Sequence, residues 1–323
     1  MQEQFEHRPL LAGEALRSLL RRADGPSSVR LVVHLGLFIA LAVAIPAVHA
    51  ALPVTAVVAV LLGWTWAGLF APFHECVHGT AFATPRLNRL GAWLAGIPFM
   101  MAPAVYRGFH FEHHRHTQDP ERDPELMDDP RYAAWPAGTR GWLQMASGFG
   151  LFMLKLRPLL GFSLRPQHAW PSFARWVERV DDRAALARES RVVLACWLVF
   201  LAALPFLPGG GWLLFAAWLS NALQALWVSC EHTGLPLEGS ILQRTRTVES
   251  NAFVRFFVWN MNYHAEHHAW PGIPWYRLPE AHRAVRAQLG SLVPGYAALH
   301  ANVRTGRNRP SADPSPPPVT AAG

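Results

Sequence analysis

The chain has 323 residues, 51% hydrophobic and only 16% charged, and the apolar residues are gathered into a few long runs. Leu31 to Val48, Val54 to Pro72, Val192 to Leu207 and Trp212 to Cys230 hold no Asp, Glu, Lys or Arg, and each approaches the ~20 residues that cross a hydrocarbon layer, which argues against a soluble enzyme. A net charge of +7 raises nucleic acid as a partner, but no aromatic-and-basic groove pattern accompanies the charge. Arg and Lys fall only before Leu31, between Phe73 and Arg191 and after Glu231, so two tight hairpins would leave every one of them on the cytoplasmic side, as the positive-inside bias requires.

In chain order, residues 1–28 form a cytoplasmic segment in which Leu10 to Arg22 reads as an amphipathic helix. Leu16, Leu19 and Leu20 fall at helical spacing, with Arg17, Arg21 and Arg22 turned to phosphate headgroups. Met1 to Arg30 lacks the short apolar stretch and small-residue site of a removed signal peptide, so the first span itself directs insertion. Four spans are expected, at about 29–48, 53–73, 192–207 and 211–228. The second, ~21 residues or ~31 Å long, ends where His74 emerges.

Leu90 to Tyr106 is interrupted by Gly91, Gly96, Pro98 and Pro103, and Gly141 to Leu160 holds Gln144, Lys155 and Arg157. Both read as re-entrant or interfacial segments that do not cross. Trp64, Trp66, Trp93, Trp212, Trp227, Trp259, Trp270 and Trp275 lie near the expected interfaces and read as anchors. A membrane unit over residues 29–300 is followed by 301–323, rich in Pro, Ser and Ala and expected to be disordered. Cys76, Cys196 and Cys230 form no CxxC pair, so cysteine offers neither a disulfide framework nor a metal ribbon.

Of sixteen histidines, eight fall in three strings: HECVH at His74 to His78, HFEHH at His110 to His114 and HAEHH at His264 to His268. Residues three and four apart share a helix face, so His74 with His78, His110 with His113 and His114, and His264 with His267 and His268 each project in one direction. At this His frequency an HxxHH string arises by chance about 0.04 times in such a length, and two are present. Neutral imidazole is a common metal ligand, and crowding this many without counter-charge calls for a cation. A catalytic ion uses about three protein ligands, so eight nitrogens, with His232 in CEHTG as a ninth, imply two ions.

Glu75, Glu112, Glu231 and Glu266 each adjoin one of these histidines and are candidates to orient imidazoles by accepting the second ring N–H. Asp119 and Asp123 follow box two, and His116 is either a further orienting group or exposed. His7, His34, His49, His168, His282 and His300 read as satisfied core or interface residues. The fold class is therefore an all-α integral membrane protein, with four transmembrane helices in two hairpins under a cytoplasmic, histidine-rich di-metal cap with interfacial helices.

The order HECVH, HFEHH, HAEHH, with the flanking strings HFEHHRHTQDPERDPEL, CEHTG and WNMNYHAEHHAWPGIPWYRLPEAH, resembles the integral-membrane fatty-acid desaturase and hydroxylase superfamily, especially its bacterial branch. The resemblance covers about Val29 to His282. It implies a di-iron centre held by the three boxes and His232 at the cytoplasmic face of a bacterial inner membrane, with O2 as co-substrate and an unactivated C–H bond of a lipid chain as target. Desaturation, lipid hydroxylation and carotenoid oxidation all lie within that superfamily. Electrons are expected from a ferredoxin-like donor with its NAD(P)H reductase, for which Arg107, Arg115 and Arg122 offer a docking face, or else those arginines sit at headgroups.

Two rivals are weaker. HECVH also satisfies the HExxH pattern of zinc metalloproteases, with Glu75 as general base, but that reading leaves most of the other two boxes without purpose. A metal store or transporter wants polar residues along the spans, which hold little besides His34.

Overall fold

The computed structural model describes residues 7–128 and 130–305. A short N-terminal helix α1 (Gly13–Leu19) leads into α2 (Asp24–Val48), α3 (Leu52–Gly68) and α4 (Phe70–His78). Then come α5 (Pro85–Gly96), α6 (Pro103–His116), α7 (Pro124–Asp128), α8 (Gly138–Ala146), α9 (Phe149–Leu164), α10 (Arg183–Ala203) and α11 (Gly210–His232). The last third holds α12 (Ile241–Arg244), α13 (Ala252–Phe257), α14 (His264–Ala269), α15 (Leu278–Val285) and α16 (Tyr296–Arg304). Among the described residues the one sheet is a parallel pair of two-residue strands, β1 (Thr247–Val248) and β2 (Leu292–Val293).

Four helical stretches are long and apolar enough to cross a membrane: Gly13–Val48, Leu52–His78, Arg183–Phe206 and Gly210–His232. They contain the four expected spans but run further toward the histidines, through His78 and His232 and back to Asp24 and Arg183. Hydropathy falls where the hydrocarbon ends, whereas helical hydrogen bonding continues into the packed cap. The second stretch is jointed at Leu69, because Pro72 has no N–H to offer the Gly68 carbonyl. Pro53, Pro85, Pro103 and Pro279 each open a helix in its first turn, where a missing N–H costs nothing.

The hairpin turns meet at one end of the bundle: Gly209, at φ +75°, lies so close to Ile45 and His49 that a Cβ there would stand 2.9 Å from Ile45 Cγ2. The histidine-bearing ends of α4 and α11 are therefore together at the other end. The two segments read as non-crossing are absent from the membrane-length helices, and the second is a helical hairpin, α8–α9, turning at Ser147–Gly148. Its tip reaches the middle of α11, where Asn221 Nδ2 donates to Gly148 O at 2.5 Å. Gly148 is at φ +74°, and a Cβ would stand 2.7 Å from Ala222 N. Non-helical backbone placed at that depth must be satisfied by protein, and Asn221 does so.

Three expectations are corrected. Residues 10–22 do not form one helix: Arg8–Leu10 is a 3-10 turn, and α1 spans Gly13–Leu19. Part of the segment's apolar side is spent on protein, since Leu11 and Leu19 are buried in a cluster with Ile241, Trp270, Ile273 and Leu278, while Leu10 and Leu20 stay exposed. Trp66, Trp227, Trp259, Trp270 and Trp275 are core residues, Trp259 wholly enclosed, leaving Trp64, Trp93 and Trp212 partly exposed. The cap above the spans is thick enough to bury indoles that hydropathy alone would place at an interface. Finally, α16 carries the helix to Arg304, because Leu299 and Val303 pack against Cys230 and Val248; residues 306–323 lie outside those described.

The hairpin tip gives a direct test. Gly148→Ala strains a left-handed position and drives a Cβ into α11, at a cost of about 1–3 kcal/mol. It is expected to lower the melting temperature of detergent-solubilised protein by several degrees, whereas Gly36→Ala, where the added methyl meets open space, leaves it unchanged or slightly higher.

Candidate metal centre

Four elements deliver the histidines. Helix α4 stops directly after His78 because Gly79 adopts φ +71°, with Gly79 N–H on Cys76 O and Thr80 N–H on Glu75 O. Helix α6 presents His110, His113 and His114 from its last two turns, and Arg107 ties it to α4 by donating to Val77 O at 2.7 Å. The six-residue α14 carries His264, His267 and His268, and α11 ends on His232.

These nine residues come together as two groups, and the boxes do not map onto the groups one to one. His74, His78, His110, His114 and His267 form one set whose ligand atoms lie within 4.8 Å of one another; His113, His232 and His268 form the other. His264 joins the second, with Nε2 3.2 Å from His232 Nε2 and 3.1 Å from His268 Nε2. In the first set His110 and His267 Nε2 lie 3.0 and 3.2 Å from His114 Nε2. The His74 and His78 rings pack edge-on against His110 and His267 at centroid distances of 4.5–4.9 Å. The groups touch through the His114 and His268 rings, stacked at 4.0 Å.

Partners of the outer ring nitrogens set the tautomers. His113 Nδ1–H donates to Asp123 Oδ1 at 2.9 Å, His232 Nδ1–H to the Arg244 carbonyl at 3.1 Å, and His268 Nδ1–H to the Thr117 hydroxyl at 3.2 Å, Thr117 donating in turn to His113 O. With those Nδ1 protons outward, the three Nε2 atoms face inward, and His113 Nε2 sits 3.2 Å from His232 Nε2. In the first group His74 has no hydrogen-bond partner at either nitrogen and His78 none at Nε2, although all are buried. Buried polar atoms in folded proteins are generally paired, and these unpartnered nitrogens sit within reach of one another, so the donor set fits a cation on each side.

Electrostatics agree. Burial first, then the neighbouring imidazoles, push His110, His114, His264 and His268 well below the usual histidine range, and His267 down to about 3. They are neutral at physiological pH, as ligation requires. His113 is the exception: burial opposes its charge, but the carboxylates of Asp123 and Glu125 raise it to about 9. Asp123 is itself fixed by the Gln118 and Glu125 backbone N–H groups, the carboxylate–histidine arrangement that orients a metal-bound imidazole.

The four glutamates divide. Glu75 Oε1 is 3.6 Å from His74 Nδ1, while Oε2 accepts from Thr80 Oγ1 and the Trp275 N–H. Glu231 Oε2 stands 3.5 Å from His264 Nε2. Glu112 faces outward to Arg115, Arg179 and His116, and touches no clustered imidazole; Glu266 accepts from His282 Nδ1 and Thr247 Oγ1 instead. His116, bound by Arg179, is outside both groups. Adjacent residues on a helix diverge, so standing next to a histidine in sequence does not place a carboxylate on its ring. Arg122 lies beside Asp119 on the surface. His34 is a satisfied core residue, bonded to Thr65 O and Trp259 Nε1, and His282 is another, bracing Glu266 in the middle of box three.

A cavity of ≈ 880 Å³ opens against both groups, touching His74 and His110 of one and His113, His232 and His264 of the other. Its walls are mainly apolar, among them Phe70, Tyr106, Phe109, Leu159 and Trp176. Glu75 does not line it.

The family model described as Fatty acid desaturase matches residues 29–300. Among curated relatives, the Zeaxanthin 4-ketolase of Chlamydomonas reinhardtii is 27% identical over 239 residues, covering 72% of this chain and 45% of that protein. The human Sphingolipid delta(4)-desaturase/C4-monooxygenase DES2 is 27% identical over 237 residues, 68% of this chain and 64% of its own. The Beta-carotene ketolase of Haematococcus lacustris is 26% identical over 235 residues, 71% and 62% respectively. The chain thus spans between 45% and 64% of the length of these relatives.

The bracing of His113 is testable without any turnover. Asp123→Asn is expected to weaken divalent-metal retention about 10–100-fold in chelator competition. Glu112→Gln, on the outer face, should leave retention unchanged. Equal behaviour of the two variants would remove the orienting role of Asp123.

Proposed function

The chain belongs to the fatty acid desaturase family, and from that premise we propose that it is an O2-dependent di-iron oxidoreductase acting on unactivated C–H bonds of a lipid chain, with fatty-acid desaturation as its reaction. The observation that carries the reading is the pair of imidazole groups with inward lone pairs at the wall of an apolar cavity. An alkyl C–H bond offers no polar handle, so binding must come from apolar surface and shape. Phe70, Tyr106, Phe109 and Trp176 supply both and keep water from the reacting carbon.

In this reading His74, His78, His110, His114 and His267 hold one iron, and His113, His232, His264 and His268 the other. Two irons so held supply the redox and O2 chemistry that such a bond demands. The protein's own part is positional. Asp123, the Arg244 carbonyl and Thr117 keep the Nδ1 protons of His113, His232 and His268 outward, so each Nε2 stays a ligand atom. Glu231 stands at the cavity wall beside His264, and Asp123 and Glu125 line the same cavity beside His113. Electrons come from a separate ferredoxin-like donor with its NAD(P)H reductase, and the enzyme sits in a bacterial inner membrane with its boxes cytoplasmic.

Oxygen insertion is the second reading, favoured by relatives whose names are ketolase and C4-monooxygenase. It needs the same centre and differs in where the carbon rests. The zinc-protease reading is disfavoured because Glu75 is held by Thr80 and Trp275 and is turned away from the cavity.

Lipid profiling of a host expressing the protein separates these. Desaturation gives lipids lighter by two hydrogens, hydroxylation gives lipids heavier by one oxygen, and ketone formation adds one oxygen and removes two hydrogens. His113→Ala and His267→Ala, one from each group, are each expected to abolish the new species. An unchanged lipid profile for the wild type, or full product from either variant, contradicts the proposal.

A further inference from the structure

Among the residues that line the mainly apolar cavity is a buried cation. Lys155, on α9, is 6% exposed, and its Nζ donates to Gln224 Oε1 at 2.9 Å and lies 4.9 Å from the centre of the Phe99 ring. No carboxylate pairs with it among the described residues, and burial alone pushes it down to about 7. An ammonium carries three donors, and Gln224 takes one. Enclosing such a group among apolar side chains is costly, and in membrane proteins ionisable residues at such places mark substrate paths.

Position gives the pair a use. Both residues line the cavity that reaches the histidines, and Lys155 also lines a second, apolar recess of ≈ 430 Å³ walled by Phe152, Trp197, Leu214 and Trp218. Gln224 precedes His232 on α11 by eight residues, which is about 12 Å along the helix. The cavity therefore has an oxidising pole at the imidazoles and a hydrogen-bonding pole deeper along α11.

We propose that Lys155 and Gln224 form a recognition point for an acceptor oxygen on the substrate, a hydroxyl, carbonyl or carboxylate, about two helical turns along α11 from His232. This rests on the lipid-oxidising reading and deepens it: the substrate is an oxygen-bearing lipid, not a bare hydrocarbon. The free donors of Lys155 set the register, so the distance between the poles selects which carbon is attacked. Gln224 holds the ammonium toward the cavity and acts as a positioning residue.

The test uses full-length, detergent-purified protein equilibrated with equimolar octadecane, octadecan-1-ol and octadecanoic acid, the retained probe being measured by mass spectrometry. Wild-type protein is expected to retain an oxygenated probe over octadecane by about tenfold or more, the worth of one hydrogen bond to a charged group. Lys155→Met should bring the ratio to within about twofold of unity while octadecane binding and bound iron stay at wild-type levels. Preference for the acid assigns a carboxylate; preference for the alcohol assigns a neutral oxygen. Octadecane retained without any preference in the wild type, or an undiminished preference in Lys155→Met, overturns this inference and leaves the lipid-oxidising reading standing. Failure to bind any probe or iron overturns both.

Discussion

Everything in the cap answers one constraint: neutral imidazole nitrogens are brought nose to nose in a dry interior. His114 Nε2 lies 3.0 Å from His110 Nε2 and His113 Nε2 lies 3.2 Å from His232 Nε2, separations at which two lone pairs repel unless a proton or a cation lies between them. The helices pay for this arrangement only if something positive sits inside it. Their extension beyond the hydrocarbon, the joint at Leu69 and the abrupt stop at Gly79 all bring histidines to one depth. Box three, on a six-residue helix too short to stand alone, is braced through Glu266 by His282 and Thr247.

The spans, their pairing and the eight box histidines were legible in the sequence because each has a strong local signature, charge-free length in one case and three-and-four spacing in the other, whereas His232 was placed only by the depth at which its span ends. Assignment to groups was not legible. The face rule treats His110, His113 and His114 as one claw, yet His113 faces His232 while His110 and His114 face His267. A helix face wide enough to hold three imidazoles is wide enough to divide between two neighbours, and only tertiary packing decides the division.

The orienting acids show the same limit. Glu112 abuts His113 in sequence and points to Arg115 and Arg179, whereas the acid on His113 is Asp123, ten residues on and across a turn. Sequence adjacency on a helix separates side chains, and the turn that returns Asp123 is written in backbone hydrogen bonds with no strong motif. Trp66, Trp227, Trp259, Trp270 and Trp275 were misread for a related reason. Composition cannot tell an interfacial residue from one covered by a cap whose thickness depends on how α1, α12 and α15 pack.

The most direct test of the account is anomalous X-ray diffraction at the iron edge from crystals of iron-loaded protein. Two iron peaks are expected, one within bonding distance of imidazoles from the His74, His78, His110, His114 and His267 set, and one within bonding distance of the His113, His232, His264 and His268 set. A single peak, or iron bound away from these nitrogens, would contradict it.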